Sequence, residues 1–166
     1  MYFCKIDSEE IMTEIDYALN QKQDTEIIEL VGTVLWNKAS ETSSFTELSQ
    51  YEQHFIYIDI FESELINGGI FDFFYNTSGA YAHQVLEAYQ AIKADESANL
   101  VHEALKSFPE LPVPKDILMR RSLMKNIDDS IEKQWEALEV SFLNSKEDIV
   151  SLLIDYIKVH KTYFEY

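Results

Sequence analysis

Residues 64–79 read Glu64-Leu65-Ile66-Asn67-Gly68-Gly69-Ile70-Phe71-Asp72-Phe73-Phe74-Tyr75-Asn76-Thr77-Ser78-Gly79, and this stretch decides the fold. Asn67-Gly68-Gly69 halts any preceding helix, because Asn and Gly are the residues that tolerate a left-handed C-terminal position. Ile70–Tyr75 is short and very apolar, consistent with a buried helix or a strand. Helix is the better reading, since the chain has no second strand of comparable quality to pair with it. Asn76-Thr77-Ser78-Gly79 then forms a turn, with Ser78 placed to cap a helix running from about Gly79 to Ala94.

Working outward, helical periodicity continues on both sides. Ser44 and Glu47 have capping-box spacing, which predicts a long helix to Asn67 carrying Leu48, Tyr51, Phe55, Ile58, Phe61 and Leu65 on its apolar face. A Ser/Thr-rich loop, Ala39 to Ser44, separates it from a helix that begins near Asp24 and carries Ile27, Ile28, Val31, Leu35 and Trp36. An earlier helix, capped by Asp7 or Ser8, holds Ile11, Ile15 and Leu19 beside Glu10 and Glu14.

Downstream, Asp95 opens a helix bearing Leu100, Val101, Ala104, Leu105 and Phe108, and Pro109–Pro114 reads as an extended connector. Asp116 starts a short basic helix with Arg120, Arg121 and Lys125. A helix over roughly 130–143 centres on Trp135, Leu138 and Phe142. Ser145 and Asp148 form a capping box for a terminal helix with Ile149, Leu152, Leu153, Tyr156, Ile157 and Phe164. The expected architecture is all-α: a compact multi-helix single domain of about seven to nine helices. Residues 1–166 are expected to form this one acidic helical domain, with an N-terminal helical pair over residues 1–44 and the remainder over residues 45–166.

Charge narrows the function. The 166 residues carry 13 Lys and Arg against 30 Asp and Glu, a net charge of −17. Such a balance repels nucleic acid and anionic lipid and steers basic partners to the surface. The excess is uneven: −12 over residues 1–83 and −5 over residues 84–166. No Lys or Arg falls between Lys38 and Lys93, where eight acids do. Surfaces built only for solubility usually mix both signs. Helical spacing also aligns carboxylates in rows, Glu10 with Glu14, Glu52 with Asp59, and Glu132 with Glu136 and Glu139. DNA presents about one negative charge per 1.7 Å of axis, so a carboxylate-lined helical surface can imitate it toward a Lys/Arg-lined groove.

Enzyme motifs are missing. The residues three before the four histidines (His54, His83, His102 and His160) are Tyr51, Ala80, Asn99 and Ile157, so no Glu-x-x-His di-iron motif exists. There is no His-Glu-x-x-His, EF-hand, Walker or Gly-x-Ser-x-Gly pattern. Glu62 and Glu64 form the one tempting carboxylate pair, and an enzyme using either with a nearby histidine is the minor reading. No catalytic residue, metal site or cofactor is assigned. A single cysteine, Cys4, excludes an internal disulfide and a Cys-based zinc site and fits a reducing compartment. No leader-like or membrane-spanning run is present, so a cytoplasmic location is expected.

The 64–79 segment resembles the signature of a bacterial family of small acidic helical proteins named for a DNA-mimic member, approximately Glu-x-x-Asn-Gly-Gly-Phe-x-x-Phe-Phe-x-Asn-x-x-Gly. Glu64, Asn67, Gly68, Gly69, Phe73, Phe74, Asn76 and Gly79 match it, and Ile70 stands where the family has Phe. The resemblance extends from about Phe45 to the C-terminus. It implies an all-α fold, a homodimer, and a role as a DNA-like decoy for DNA-binding proteins such as repressors or nucleoid proteins. The motif itself reads as architecture: glycines for the turn, aromatics for the core, and Glu64 and Asn67 to close the turn by hydrogen bonds.

The expected function is therefore a non-enzymatic acidic binding protein. It would occupy the DNA-binding surface of a basic protein, without binding nucleic acid or membrane itself. The partner surface is assigned to Glu9, Glu10, Glu14, Glu47, Glu52, Asp59 and Glu62. The alternative is an immunity- or adaptor-type protein with one dedicated basic partner.

Overall fold

Gly69 takes a φ of +78°, the left-handed conformation expected of the residue that reverses the chain between two helices. The computed structural model in which this turn is seen describes residues 12–164. Nine α-helices occur among the described residues: α1 (Glu14–Leu19), α2 (Asp24–Glu41), α3 (Gln50–Asn67), α4 (Gly69–Tyr75), α5 (Ala82–Ala91), α6 (Asp95–Lys106), α7 (Ile117–Met124), α8 (Asp129–Asn144) and α9 (Ile149–Val159). Short 3₁₀ turns cover Phe45–Glu47, Thr77–Tyr81 and Lys161–Tyr163, and no strand is found among the described residues. The fold is all-α, a single compact helical domain.

α3 is the central element, packing against α5, α4 and α2, while α4 also meets α7 and α8. Its apolar residues face several neighbours at once, so Phe55, Ile56, Tyr57, Ile58 and Phe61 are all buried. One continuous core runs from Ile15 on α1 to Phe164, which lies beyond α9 and is fully buried. Ile70, Phe73 and Phe74 of α4 lie inside it, so Ile70–Tyr75 is a buried helix. No helix among the described residues is long and apolar enough to cross a membrane.

Several boundaries differ from the sequence reading. The capping box of α3 is Ser49 with Glu52, not Ser44 with Glu47. Both pairs have the required spacing, but residues 45–47 form only a 3₁₀ turn, and Leu48 buries its side chain in extended backbone. α1 begins at Glu14 behind its cap Thr13, which is extended. Of the row drawn from Glu10 to Glu14 only Glu14 is among the described residues, and the expected caps Asp7 and Ser8 lie outside them. Ser78 is buried within a 3₁₀ turn instead of capping α5. Asp148, not Ser145, caps α9, accepting from the Ser151 amide.

The motif residues close on one another. The Glu64 carboxylate accepts from Asn76 Nδ2 at 3.1 Å and Ser78 Oγ at 2.5 Å, while its backbone carbonyl accepts from the Gly68 amide at 2.8 Å. Asn67 Nδ2 donates to the Ser63 carbonyl at 2.8 Å. Two groups outside the motif complete it. Glu139 of α8 accepts from the Ile70 amide at 2.7 Å, supplying an acceptor to an amide in the first turn of α4. Arg120 of α7 is fully buried and donates to the carbonyls of Phe74, Asn76, Pro114 and Lys115 at 2.6–2.9 Å. Gly79 makes room for it, since a Cβ there would sit 2.8 Å from Arg120 Nε and from two backbone carbonyls.

Two substitutions test this account. At Gly69 an alanine would be forced left-handed and its Cβ would lie 2.4 Å from the Glu139 carboxylate. Gly69→Ala should cost at least about 1–2 kcal/mol, seen by calorimetry as a fall in Tm of roughly 2–8 °C. Arg120→Met keeps the apolar stem but removes the donor to four carbonyls, of which only that of Asn76 keeps another contact among the described residues, the Gly79 amide at 3.4 Å. At about 1–3 kcal/mol for a buried unsatisfied group, the loss should reach roughly 3 kcal/mol or more in urea unfolding. A variant as stable as wild type would show that water replaces the guanidinium.

Candidate functional site

The acids assigned to a partner surface fall into different environments. Glu14, the first residue of α1, is exposed. Glu47 is exposed and accepts from Ser43 Oγ. Asp59 is exposed on α3 and accepts from Trp36 Nε1 at 2.8 Å. Glu62 is half-buried. Glu9 and Glu10 lie outside the described residues.

Glu52 must be removed from the surface: its side chain is fully buried. As the third residue of α3 it accepts from the Ser49 amide at 2.7 Å, and it pairs with Lys38 of α2 at 3.2 Å. A capping box turns its glutamate back onto the helix end, and here α2 covers that end. The row from Glu52 to Asp59 is thereby reduced to Asp59. Glu139 also leaves its row for the α4 turn, leaving Asp129, Glu132 and Glu136 exposed along α8.

The assigned partner surface leaves out the exposed acids of α2: Asp24, Glu26, Glu29 and Glu41, the last of which falls in the stretch without Lys or Arg. Their signal was legible. With Ile27, Val31 and Leu35 buried, Glu26 and Glu29 fall on the opposite face at helical spacing. α1, α2, the 3₁₀ turn at Phe45–Glu47 and α3 pack together, so these carboxylates belong to one contiguous part of the molecule. Ion pairs join Lys38 to Glu52, Lys161 to Asp16 and Lys106 to Glu103. Glu14, Glu26, Glu29, Glu47 and Asp59 show no ion pair among the described residues.

Among the described residues, the carboxylates and histidines singled out above are each held by separate partners. Glu64 is engaged by Asn76 and Ser78, and Glu62 Oε1 accepts from Tyr89 Oη at 3.3 Å. His54 is 2.6 Å from Tyr156 Oη in the core, and His83 Nε2 accepts from the Val113 amide at 3.0 Å. His102 lies beside Glu103, and His160 stacks on Tyr51 with ring centroids 4.3 Å apart. No histidine pairs with Glu62 or Glu64 among the described residues. Nor do three His, Cys, Asp or Glu side chains there gather closely enough to hold a metal ion.

Burial sets the unusual protonation equilibria. Loss of solvent raises the Glu62 pKa, helped by the nearby Asp59 charge and opposed by the Tyr89 hydrogen bond. Desolvation also pushes Tyr156 up to about 12. It lowers His54, and the neighbouring His160 adds to that shift.

Comparison with known proteins matches the family described as DMP19-like protein over residues 46–160. The chain belongs to the DMP19-like family. The match begins at the 3₁₀ turn before α3 and runs through α9, so it covers the Glu64 clasp, the Arg120 anchor and Glu62. α1 and the whole of the acidic α2 lie outside the matched span. No curated protein and no solved structure matches the chain.

The buried histidine gives a pH prediction. A histidine whose folded pKa lies below its unfolded value of about 6.5 contributes stability above that value, and this is lost as pH falls toward the folded pKa. Glu62 acts in the opposite sense, because its raised pKa is a penalty of the charged form that acid relieves. Urea unfolding between pH 7.5 and 5.5 should therefore show a decline in stability that His54→Gln flattens. An unchanged slope in that variant would assign the decline to other groups.

Proposed function

We propose that this protein is a non-enzymatic acidic binding protein that acts as a DNA mimic, occupying the DNA-binding surface of a basic repressor or nucleoid protein. The observation that carries the reading is the set of exposed carboxylates on α1, α2, the turn before α3, and α3 itself: Glu14, Glu26, Glu29, Glu47 and Asp59. Cation-poor surroundings leave their field directed outward, where it attracts a Lys/Arg-lined groove and repels nucleic acid. Helices hold the acids at fixed spacing, about 4.5 Å along the axis between Glu26 and Glu29 from a rise of about 1.5 Å per residue. That rigidity is what a phosphate-reading surface requires of an imitation. Membership of the DMP19-like family, in which DNA mimicry gives the family its name, supports the same reading. A homodimer, which the family resemblance implies, would double the acidic surface; sedimentation tests it.

The experiment is capture from a bacterial lysate with the full chain as bait, followed by competition with duplex DNA. DNA-binding proteins should be retained at about 0.1 M salt and lost near 1 M, as the screening length contracts from about 10 to 3 Å. Duplex should displace them. Replacing Glu14, Glu26, Glu29 and Glu47 with Gln and Asp59 with Asn should weaken capture about fivefold or more, given roughly 0.2–1 kcal/mol per exposed charge pair. The same variant should fold normally. Retention of one partner that duplex cannot displace would favour the adaptor reading instead.

A further inference from the structure

A second feature of the surface involves a cavity. Between the ends of α3 and α8 and the start of α9 lies a pocket of about 230 Å³. Its walls are largely apolar, with Leu65 and Ile66 from α3, Phe142 and Leu143 from α8, and Ile149 from α9 set among Glu62, Ser97, Ser145 and Glu147. Ile66 and Leu143 stand on the surface at 76% and 69% exposure, so the mouth is greasy as well. Phe142 is held by edge contacts to Phe61 and Tyr89, with ring centroids 5.5 and 5.7 Å away. The pocket is smaller than the roughly 300–1,000 Å³ of sites that enclose a whole drug-sized ligand. It suits one long side chain.

Two carboxylates line this apolar space, and they differ in how they are satisfied. Glu147 spends both oxygens on α6, accepting from the Glu96 and Ser97 amides at 3.0 and 2.8 Å. It supplies the cap that Ala94 cannot provide. Glu62 has only the Tyr89 hydroxyl, at 3.3 Å, and no cation among the described residues. A half-buried carboxylate with one weak donor is poorly solvated, and a cation entering the pocket would restore what it lost. Structure alone does not require the charge here, because a glutamine would accept from Tyr89 equally well.

We infer that this pocket receives an arginine side chain of the basic partner, with the guanidinium on Glu62 and its stem along Leu65, Leu143 and Ile149. Arginine fits better than lysine. Its guanidinium is planar and weakly hydrated, tolerates apolar walls, and stacks on an aromatic face such as Phe142, whereas an ammonium holds its water. The inference rests on the reading of the chain as a binder of basic proteins. It adds one shape-selective contact, on an otherwise diffuse electrostatic surface, that high salt would weaken less than the exposed pairs.

Methyl NMR of the full-length protein tests it with N-acetyl-arginine amide as the probe, compared with the lysine analogue and the neutral citrulline analogue. Arginine should shift the methyls of Leu65, Ile66, Leu143 and Ile149 in a saturable way. Citrulline should not, lysine should bind at least about threefold more weakly, and Glu62→Gln should weaken arginine at least about tenfold while leaving the spectrum folded. Equal binding of citrulline or lysine, or an unaffected Glu62→Gln, overturns the assignment. So do methyl shifts that follow protein concentration and not the probe, which would place a second copy on this face. Arginine binding with no DNA-binding protein captured would leave the pocket standing and sink the mimic reading. Capture without arginine binding would do the reverse.

Discussion

The carboxylate of Glu64 holds together a stretch that no regular element could. Between the end of α3 and the start of α5 the chain reverses, forms a two-turn helix, and reverses again through a 3₁₀ turn. Each reversal exposes backbone groups that must find partners inside a nearly dry core. The Glu64 carboxylate ties the side chains of Asn76 and Ser78 to the end of α3, fixing the second reversal. Arg120 then takes the carbonyls of Phe74 and Asn76 from the opposite side, and Glu139 takes the amide of Ile70. α4 can therefore present Ile70, Phe73 and Phe74 to the core, where they join Phe61, Phe108 and Trp135.

This arrangement explains an oddity of charge. In a chain so short of bases, a fully buried arginine meets backbone oxygen, not a carboxylate, and burial lowers its pKa from the usual range. Arginine suits the task because five donors in a fixed fork can serve carbonyls on three sides, which a lysine could not do. The neighbouring Arg121 lies over the Tyr75 ring at 4.3 Å and donates to the Tyr75 carbonyl. Both arginines are thus spent holding the motif, while Glu14, Glu26, Glu29, Glu47 and Asp59 show no ion pair among the described residues. Self-repulsion of those acids works against compactness, so the continuous core from Ile15 to Phe164 must offset it.

Acidic residues accordingly divide by position, not by kind. Glu52, Glu64, Glu139 and Glu147 are wired to helix ends and turns and help to build the fold. Glu14, Glu26, Glu29, Glu47 and Asp59 lie on the surface, and Glu62 falls between the two groups, half-buried at a pocket. A count of acids treats all of these as equal, and a helical wheel does little better.

Local chemistry alone determined a good deal: the Asn67-Gly68-Gly69 stop, the helical period of every long element, and the caps at Asp116 and near Asp148. These are legible because propensity, capping and amphipathic period act over a turn or two of chain. Choosing between Ser44 and Ser49 as the cap of α3 was not local, since both precede a glutamate by three and only the burial of Leu48 separates them. The fate of individual charges was not local either. Glu52 is buried because α2 crosses its helix end with Lys38, Glu139 is drawn 69 residues along the chain to an amide, and Glu62 acquires its poor solvation from α5 and α8. Desolvation and hydrogen bonding depend on what lies within a few ångströms, and that neighbourhood exists only once the helices have packed.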